Sequence, residues 1–362
     1  MRMGGDGTMG QRDSALFAGI DGGGTKTTVV LVDAEGSERG RATSGGSNYA
    51  AVGQETALAH IRTAVREALA ASGVVPVDAS DLHDGARDDL EGGAAMRCFA
   101  DGQTLEYPAG QFLSAPGGPS LITAAWIGLA GIDRPTDRER LLPALSALAT
   151  TVEVGNDAEL ILSALPDARG VAVIAGTGSI VLGRDSRDEI TRAGGWGHVF
   201  GDEGSGYELG RRALQMAARA SDGRGPETAL LPGILAAWSL TDPSEMIEQV
   251  YFHVEKAGIA RLAGVVLASA AAGDAVANAL LDESVDELAL AVEAVARRLD
   301  FPGGAVPLAL GGGLLCREPA FLDRFDRRLA RGVTVGRREL VPDAALTAAR
   351  AARSLVPATA PA

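Results

Sequence analysis

Apolar runs at residues 16–20 and 29–32 bracket the octet Ile20-Asp21-Gly22-Gly23-Gly24-Thr25-Lys26-Thr27, a pattern that predicts two strands joined by a tight glycine turn. Asp33-Ala34-Glu35-Gly36 then reads as a turn and residues 38–44 as a third, returning strand. Leu58, Ile61, Val65 and Leu69 recur at helical spacing ahead of the stop Ser72-Gly73, so a helix with one face on the sheet follows. Residues 76–120 are rich in Asp and Gly and read as an insertion, with a hairpin across 98–106 turning at Asp101-Gly102. Order resumes with a strand at 123–131, a helix at 138–148 and a strand at 151–154, which extends the sheet in mostly parallel fashion.

The opening device occurs twice. Apolar residues 171–174 and 180–183 flank Ala175-Gly176-Thr177-Gly178-Ser179, again strand, Gly/Thr turn and strand. A largely helical stretch spans 205–299, a strand at 306–310 runs into Gly311-Gly312-Gly313, and helices are expected at 319–331 and 342–354. The fold class is therefore α/β, with two similar domains at 15–155 and 156–355 and a final helix free to return to the first. Residues 1–14 and 356–362 read as a loose leader and tail.

A single glycine turn between strands is an ordinary hairpin, and repetition gives this one a second meaning. Glycines bring backbone N–H groups close to an anion and can take positive φ, and a threonine hydroxyl adds a donor. The commoner phosphate loops do not fit: Thr25 separates Gly24 from Lys26, and residues 27–32 are β-branched strand sequence where a Walker loop or a dinucleotide fingerprint requires a helix. Two such turns far apart in sequence suggest two domains that each hold part of a triphosphate, the plan of the actin-like ATPase superfamily of ribonuclease H-like domains with a nucleotide cleft between them. Asp21 would then face a metal-phosphate.

Charge and composition narrow the partners. The chain has 362 residues, enough for two cores at 46% hydrophobic content, and a net charge of −14 that argues against nucleic acid or an anionic membrane surface. No apolar run reaches the ~18 residues needed to span a bilayer, and the leader lacks the apolar stretch of a signal peptide. The two cysteines, Cys98 and Cys316, have no metal-ligand spacing around them. A cytoplasmic enzyme is expected.

Three further places carry candidate chemistry. Asp157, in Val154-Gly155-Asn156-Asp157-Ala158-Glu159, lies where a strand gives way to a helix: it can cap that helix or, lying midway between the two turns, serve as a general base. Residues 194–206 hold six glycines, two aromatics and the adjacent Asp202 and Glu203, a composition suited to a polyol. Within this segment the Trp196 ring is expected in the core, and His198 in a structural hydrogen bond. Gly311, Gly312 and Gly313 would let a purine lie flat on the backbone, or simply serve a strand-to-helix turn.

Taken in order, these segments resemble the N-acetylglucosamine kinases grouped with the ATPase subunits of benzoyl-CoA reductase, the BadF/BadG/BcrA/BcrD ATPase family. The resemblance implies ATP contacts from Gly22, Gly23, Gly24, Thr25 and Lys26, from Gly176, Thr177, Gly178 and Ser179, and from Ala270 and the glycines at 311–313. It also implies Asp157 as catalytic base, Asn48, Gly195, Trp196, Gly197 and Asp202 as sugar contacts, and Asp21 orienting Mg²⁺ through water. The implied activity is ATP-dependent 6-phosphorylation of N-acetylglucosamine, with glucosamine or N-acetylmuramic acid as alternative acceptors, or a partner-activating ATPase with water as acceptor. Ala130 stands where the family can carry a serine near the sugar, which leaves the sugar open. Cys98 and Cys316 do not supply the cysteine pattern of the iron-sulfur branch, and a homodimer is left open.

Overall fold

The computed structural model describes residues 15–73, 75–77, 95–100, 103–108, 121–132 and 135–356. The expected leader at 1–14, most of the insertion, its Asp101-Gly102 turn and the tail beyond Val356 lie outside the described residues. The chain divides into two compact units, Met1–Ser163 with Asp343–Ala362, and Ala164–Pro342. Against an expected break at 155/156, the crossover falls eight residues later. The helix Asp157–Leu162 is packed on the first sheet so closely that a Cβ on Gly128 would run into Leu160.

The strands of the first unit are β1 (Leu16–Gly22), β2 (Lys26–Val32), β3 (Glu38–Gly45), β4 (Val75–Val77), β5 (Ala95–Ala100), β6 (Gln103–Pro108), β7 (Ile122–Leu129) and β8 (Thr151–Gly155). Five of them form one sheet in the order β3-β2-β1-β7-β8, antiparallel through the opening hairpin and parallel from β1 onward. β4, β5 and β6 make a separate antiparallel sheet, with Ala100 paired to Gln103 across the expected hairpin. The apolar positions that predicted the main sheet are buried: Ile20, Leu31, Ile127 and Leu129, with Ile61 and Leu69 from the helix Gln54–Ala71. The helix Ala344–Ala352 returns to this unit and lies so near β1 that a Cβ on Gly19 would strike the Ala345 carbonyl.

The second unit repeats the plan with β9 (Gly170–Ala175), β10 (Ser179–Arg184), β11 (Ile190–Gly194), β12 (Val306–Gly311) and β13 (Val335–Val341) in the order β11-β10-β9-β12-β13. The directions also match: β9, β10 and β11 are antiparallel neighbours, and β12 and β13 continue parallel to β9. The helical stretch resolves into several helices, the longest Ala275–Ala296, whose Leu281, Leu288, Val292 and Val295 pack under the sheet. Phe321 and Phe325 of the helix Pro319–Leu329 are fully buried, and truncating either would cost ~3–5 kcal/mol. No helix among the described residues is long and apolar enough to cross a membrane.

Candidate active site

In the first unit the turn between β1 and β2 is built as a donor surface. Gly23 N–H donates to the Lys26 carbonyl at 2.9 Å and closes the turn. The N–H groups of Gly24 and Thr25 then have no protein partner among the described residues, and both residues are exposed. Lys26 opens a strand, as required of a phosphate hairpin and not of a Walker loop. None of Gly22, Gly23 and Gly24 takes positive φ, contrary to expectation. Their use is space: a Cβ on Gly22 would collide with Ser47 and Leu129, and Gly24 faces open room.

Ser47 and Asn48 are tied to this turn. Their N–H groups donate to the Gly23 carbonyl at 3.0 and 3.1 Å, and the Thr27 hydroxyl donates to Ser47 Oγ at 2.8 Å in a buried contact. Asn48 caps the short helix Tyr49–Val52 by accepting from Ala51 N–H, which leaves its amide N–H₂ without a partner among the described residues. Asp21, half-buried at the end of β1, receives no hydrogen bond among those residues. Burial pushes its carboxyl up to about 6, with Lys26 pulling against the shift and Asp343 adding to it. A carboxylate in that condition suits a cation. No three His, Cys, Asp or Glu side chains gather to hold a metal among the described residues, so Mg²⁺ would take Asp21, water and nucleotide oxygens, the usual mixed set for that ion.

Asp157 does not cap its helix. Asn156 is the N-cap and accepts from Ala158 N–H at 2.8 Å, and Glu159 completes the capping box by accepting from Asn156 N–H at 3.1 Å. Glu159 is buried and paired with Arg138 at 2.8 Å. The neighbours carry the structural duty, and the half-buried Asp157 carboxylate, which accepts from Ala158 N–H at 3.0 Å, stands at the first position of the helix, where its positive end favours an anion.

In the second unit the turn between β9 and β10 matches the first. Gly176 N–H donates to the Gly178 carbonyl at 2.9 Å, and the N–H groups of Thr177 and Gly178 have no protein partner among the described residues. The start of the helix Gly206–Ser221 abuts this turn, with Gly206 N–H on the Gly176 carbonyl at 2.8 Å and Tyr207 N–H on the Thr177 carbonyl at 3.3 Å. The glycines at 311–313 are brought to the same place. Gly312 takes φ +87°, and a Cβ on it would overlap the Ala175 carbonyl. Only glycine allows both that backbone and that approach. Ala270 has no described contact with the turn: its side chain is in the core and its carbonyl accepts from Asn278 at 3.1 Å.

The glycine-dense segment splits in two. Asp202, expected to face a sugar, is buried beneath the second turn with φ +61°; it accepts from Ser179 N–H at 3.3 Å and from Lys256 Nζ at 2.7 Å. Ser179 Oγ donates to the Glu203 carbonyl at 2.6 Å, locking strand and loop together. Gly195 N–H reaches the Ser179 carbonyl at 3.2 Å, so the segment 195–200 springs from the same turn. Trp196 is 58% exposed, not in the core: it follows the end of the edge strand β11, and Arg192 of that strand stacks on its ring at 4.9 Å while Phe200 tilts against it at 6.2 Å. His198 makes an edge contact with the Tyr207 ring at 5.2 Å in place of the expected hydrogen bond. Gly194, Gly195, Gly197 and Gly204 do take positive φ, so the conformational demand on glycine falls here and not in the hairpin turns.

Sequence reasoning missed Ser47, the Asn156/Glu159 capping box and the partnership of Lys256 with Asp202. The Asn-x-x-Glu spacing signals the second, whereas the separation of 54 positions between Asp202 and Lys256 hides the third.

These features define an ATPase class whose sequence profile, that of the BadF/BadG/BcrA/BcrD ATPase family, matches residues 18–328, and the chain belongs to that family. Among individual relatives, the N-acetylmuramic acid/N-acetylglucosamine kinase of Clostridium acetobutylicum is 37% identical over 212 residues, 57% of this chain and 69% of that protein. The N-acetyl-D-glucosamine kinase of Dictyostelium discoideum is 28% identical over 322 residues, 87% of this chain and 90% of that protein. The crystal structure of a candidate N-acetylglucosamine kinase from Chromobacterium violaceum superposes with a TM-score of 0.63 at 25% identity, covering 94% of this chain and 98% of the other.

Proposed function

We propose that the protein transfers the γ-phosphoryl group of ATP to the 6-hydroxyl of N-acetylglucosamine. The observation that carries this reading is the pair of turns at residues 23–26 and 176–178, one in each unit, each with an exposed threonine and two backbone N–H groups that have no protein partner among the described residues. The names of the relatives supply the acceptor class: both curated kinases above act on N-acetylglucosamine.

In the proposed reaction Thr25 and Thr177, with their turns, hold phosphate oxygens, and Gly312 and Gly313 offer backbone to the nucleotide. Mg²⁺, when bound near Asp21, neutralises charge on the phosphates. Asp157 accepts the proton of the attacking hydroxyl, a role open to it because Asn156 and Glu159 hold the helix start. Asn48 donates its free amide N–H to a sugar oxygen, and the exposed Trp196 ring offers an apolar face to the sugar. The reading places the enzyme in the cytoplasm, where ATP is.

Incubation with MgATP and N-acetylglucosamine followed by NMR tests the regiochemistry. Phosphorus coupled to the two H6 protons supports the reading, whereas a 1-phosphate or inorganic phosphate alone overturns it. Because the Clostridium relative also acts on N-acetylmuramic acid, that sugar is the second acceptor to run.

A further inference from the structure

The chain carries two lysines among its 33 Lys and Arg residues, Lys26 and Lys256. Arginine serves at every other permanently cationic side chain, including the surface pairs Arg41–Glu38 and Arg211–Glu208. Both exceptions lie near one of the two turns, Lys26 on the strand that leaves the first and Lys256 on a helix beside the second. Lys26 ends the first turn, where its charge acts on Asp21. Lys256, at the start of the helix Lys256–Ala260, donates to Asp202 beneath the second turn at 2.7 Å, its ammonium 5.9 Å from the Tyr207 ring centroid. Each turn is thus served by one aspartate and one lysine from its own unit.

The second pair has a physical problem to solve. Asp202 is 4% exposed, and its Oδ1 accepts from Ser179 N–H, beside the N–H groups of Thr177 and Gly178, which have no partner among the described residues. A Cβ on Gly178 would stand 2.9 Å from that oxygen, so the carboxylate touches the turn itself. An unneutralised carboxylate there would repel a phosphate held on the other side of the turn. At a separation of ~6 Å and an effective dielectric of ~20, that repulsion is on the order of 100-fold in affinity. A compact ammonium on one oxygen cancels the charge and leaves the other oxygen on Ser179, whereas the guanidinium fork favours taking both.

We propose that Lys256 is a positioning residue of the nucleotide site, acting through Asp202: it neutralises this carboxylate and keeps it on the Ser179 N–H, so that the second turn can receive phosphate. The proposal rests on the reading of that turn as a phosphate site.

The test is direct binding of a fluorescent, non-hydrolysable ATP analogue with Mg²⁺ and no sugar, on the full chain, with thermal melts run alongside. Lys256→Met is expected to weaken binding ~10- to 100-fold, and adding Asp202→Asn to bring it back within ~3-fold of the wild type, a non-additive pair. Binding by Lys256→Met at wild-type affinity would overturn the proposal. So would a double variant no tighter than the single, which would mean that the lysine meets phosphate itself. If Lys256→Met is too unstable to titrate, the double variant decides, since it binds near wild type only if repulsion by Asp202 is the problem. Failure of the wild type to bind nucleotide would instead bring down the phosphate reading of the turn, a result distinct from indifference to Lys256.

Discussion

Asp21 is a place where the site costs the fold stability. Burial pushes its carboxyl up from the ordinary 3.8 to about 6 in the folded chain, a difference worth about 3 kcal/mol once the group is ionised in both states. A folded-state value raised above the unfolded one means that its stabilising contribution is fully present below pH ~4 and is lost as pH rises through ~6. Asp21→Asn keeps the shape and removes the charge. It should leave stability unchanged at the acid end, recover about half of the 3 kcal/mol at pH 5 and nearly all of it at pH 8. For a unit of this size that is a rise of roughly 6–12 °C in Tm at pH 8. Differential scanning calorimetry of the nucleotide-free protein at pH 5 and pH 8 reads this out. An Asp21→Asn gain equal at both pH values, or a loss at pH 8, would refute the claim that desolvation of this carboxylate outweighs the attraction of Lys26. The same variant should lose the extra thermal stabilisation that Mg²⁺ adds to ATP.

Asp157→Asn should lower kcat by ~10²–10⁴ with Tm and ATP affinity near wild type, because Asn156 and Glu159 hold the helix start; full activity would remove Asp157 from the reaction. Asn156→Ala should do the reverse, costing ~1–2 kcal/mol in a denaturant melt through loss of the buried cap. Trp196→Ala should shift stability by less than ~0.5 kcal/mol while raising KM for the sugar, since the ring is exposed; a loss of several kcal/mol would put the ring back in a core. Gly312→Ala should weaken nucleotide binding and cost ~2 kcal/mol or more, from strained φ and overlap with Ala175.

The repeated fold was legible because its central strands are apolar runs broken by turns of distinctive composition. The edges of the second sheet were not: β11 reads Ile-Thr-Arg-Ala-Gly and β13 carries Arg337, Arg338 and Glu339 on a mostly exposed strand, so neither shows alternation or a buried run. Both turns and the glycines at 311–313 could be picked out from residue type alone, but not how glycine is used, since Gly22 and Gly178 matter for the room they leave and Gly312 for its φ. Asp202 illustrates the deeper limit. Its neighbours in sequence suggested a sugar contact, while its partners in space, Ser179 and Lys256, come from a strand 23 residues earlier and a helix 54 residues later. Trp196 was misjudged because aromatic residues are usually buried, and only the fold shows that this one follows an edge strand and is exposed.

The most direct test of the central claim is ADP release in a coupled assay with MgATP against N-acetylglucosamine, glucosamine, N-acetylmuramic acid and glucose, with a no-sugar control. The two phosphate turns together with Asp157 predict ADP release that requires an amino sugar, strongest with N-acetylglucosamine and lost in Asp157→Asn. Equal ADP release without sugar would contradict the kinase reading and make water the acceptor.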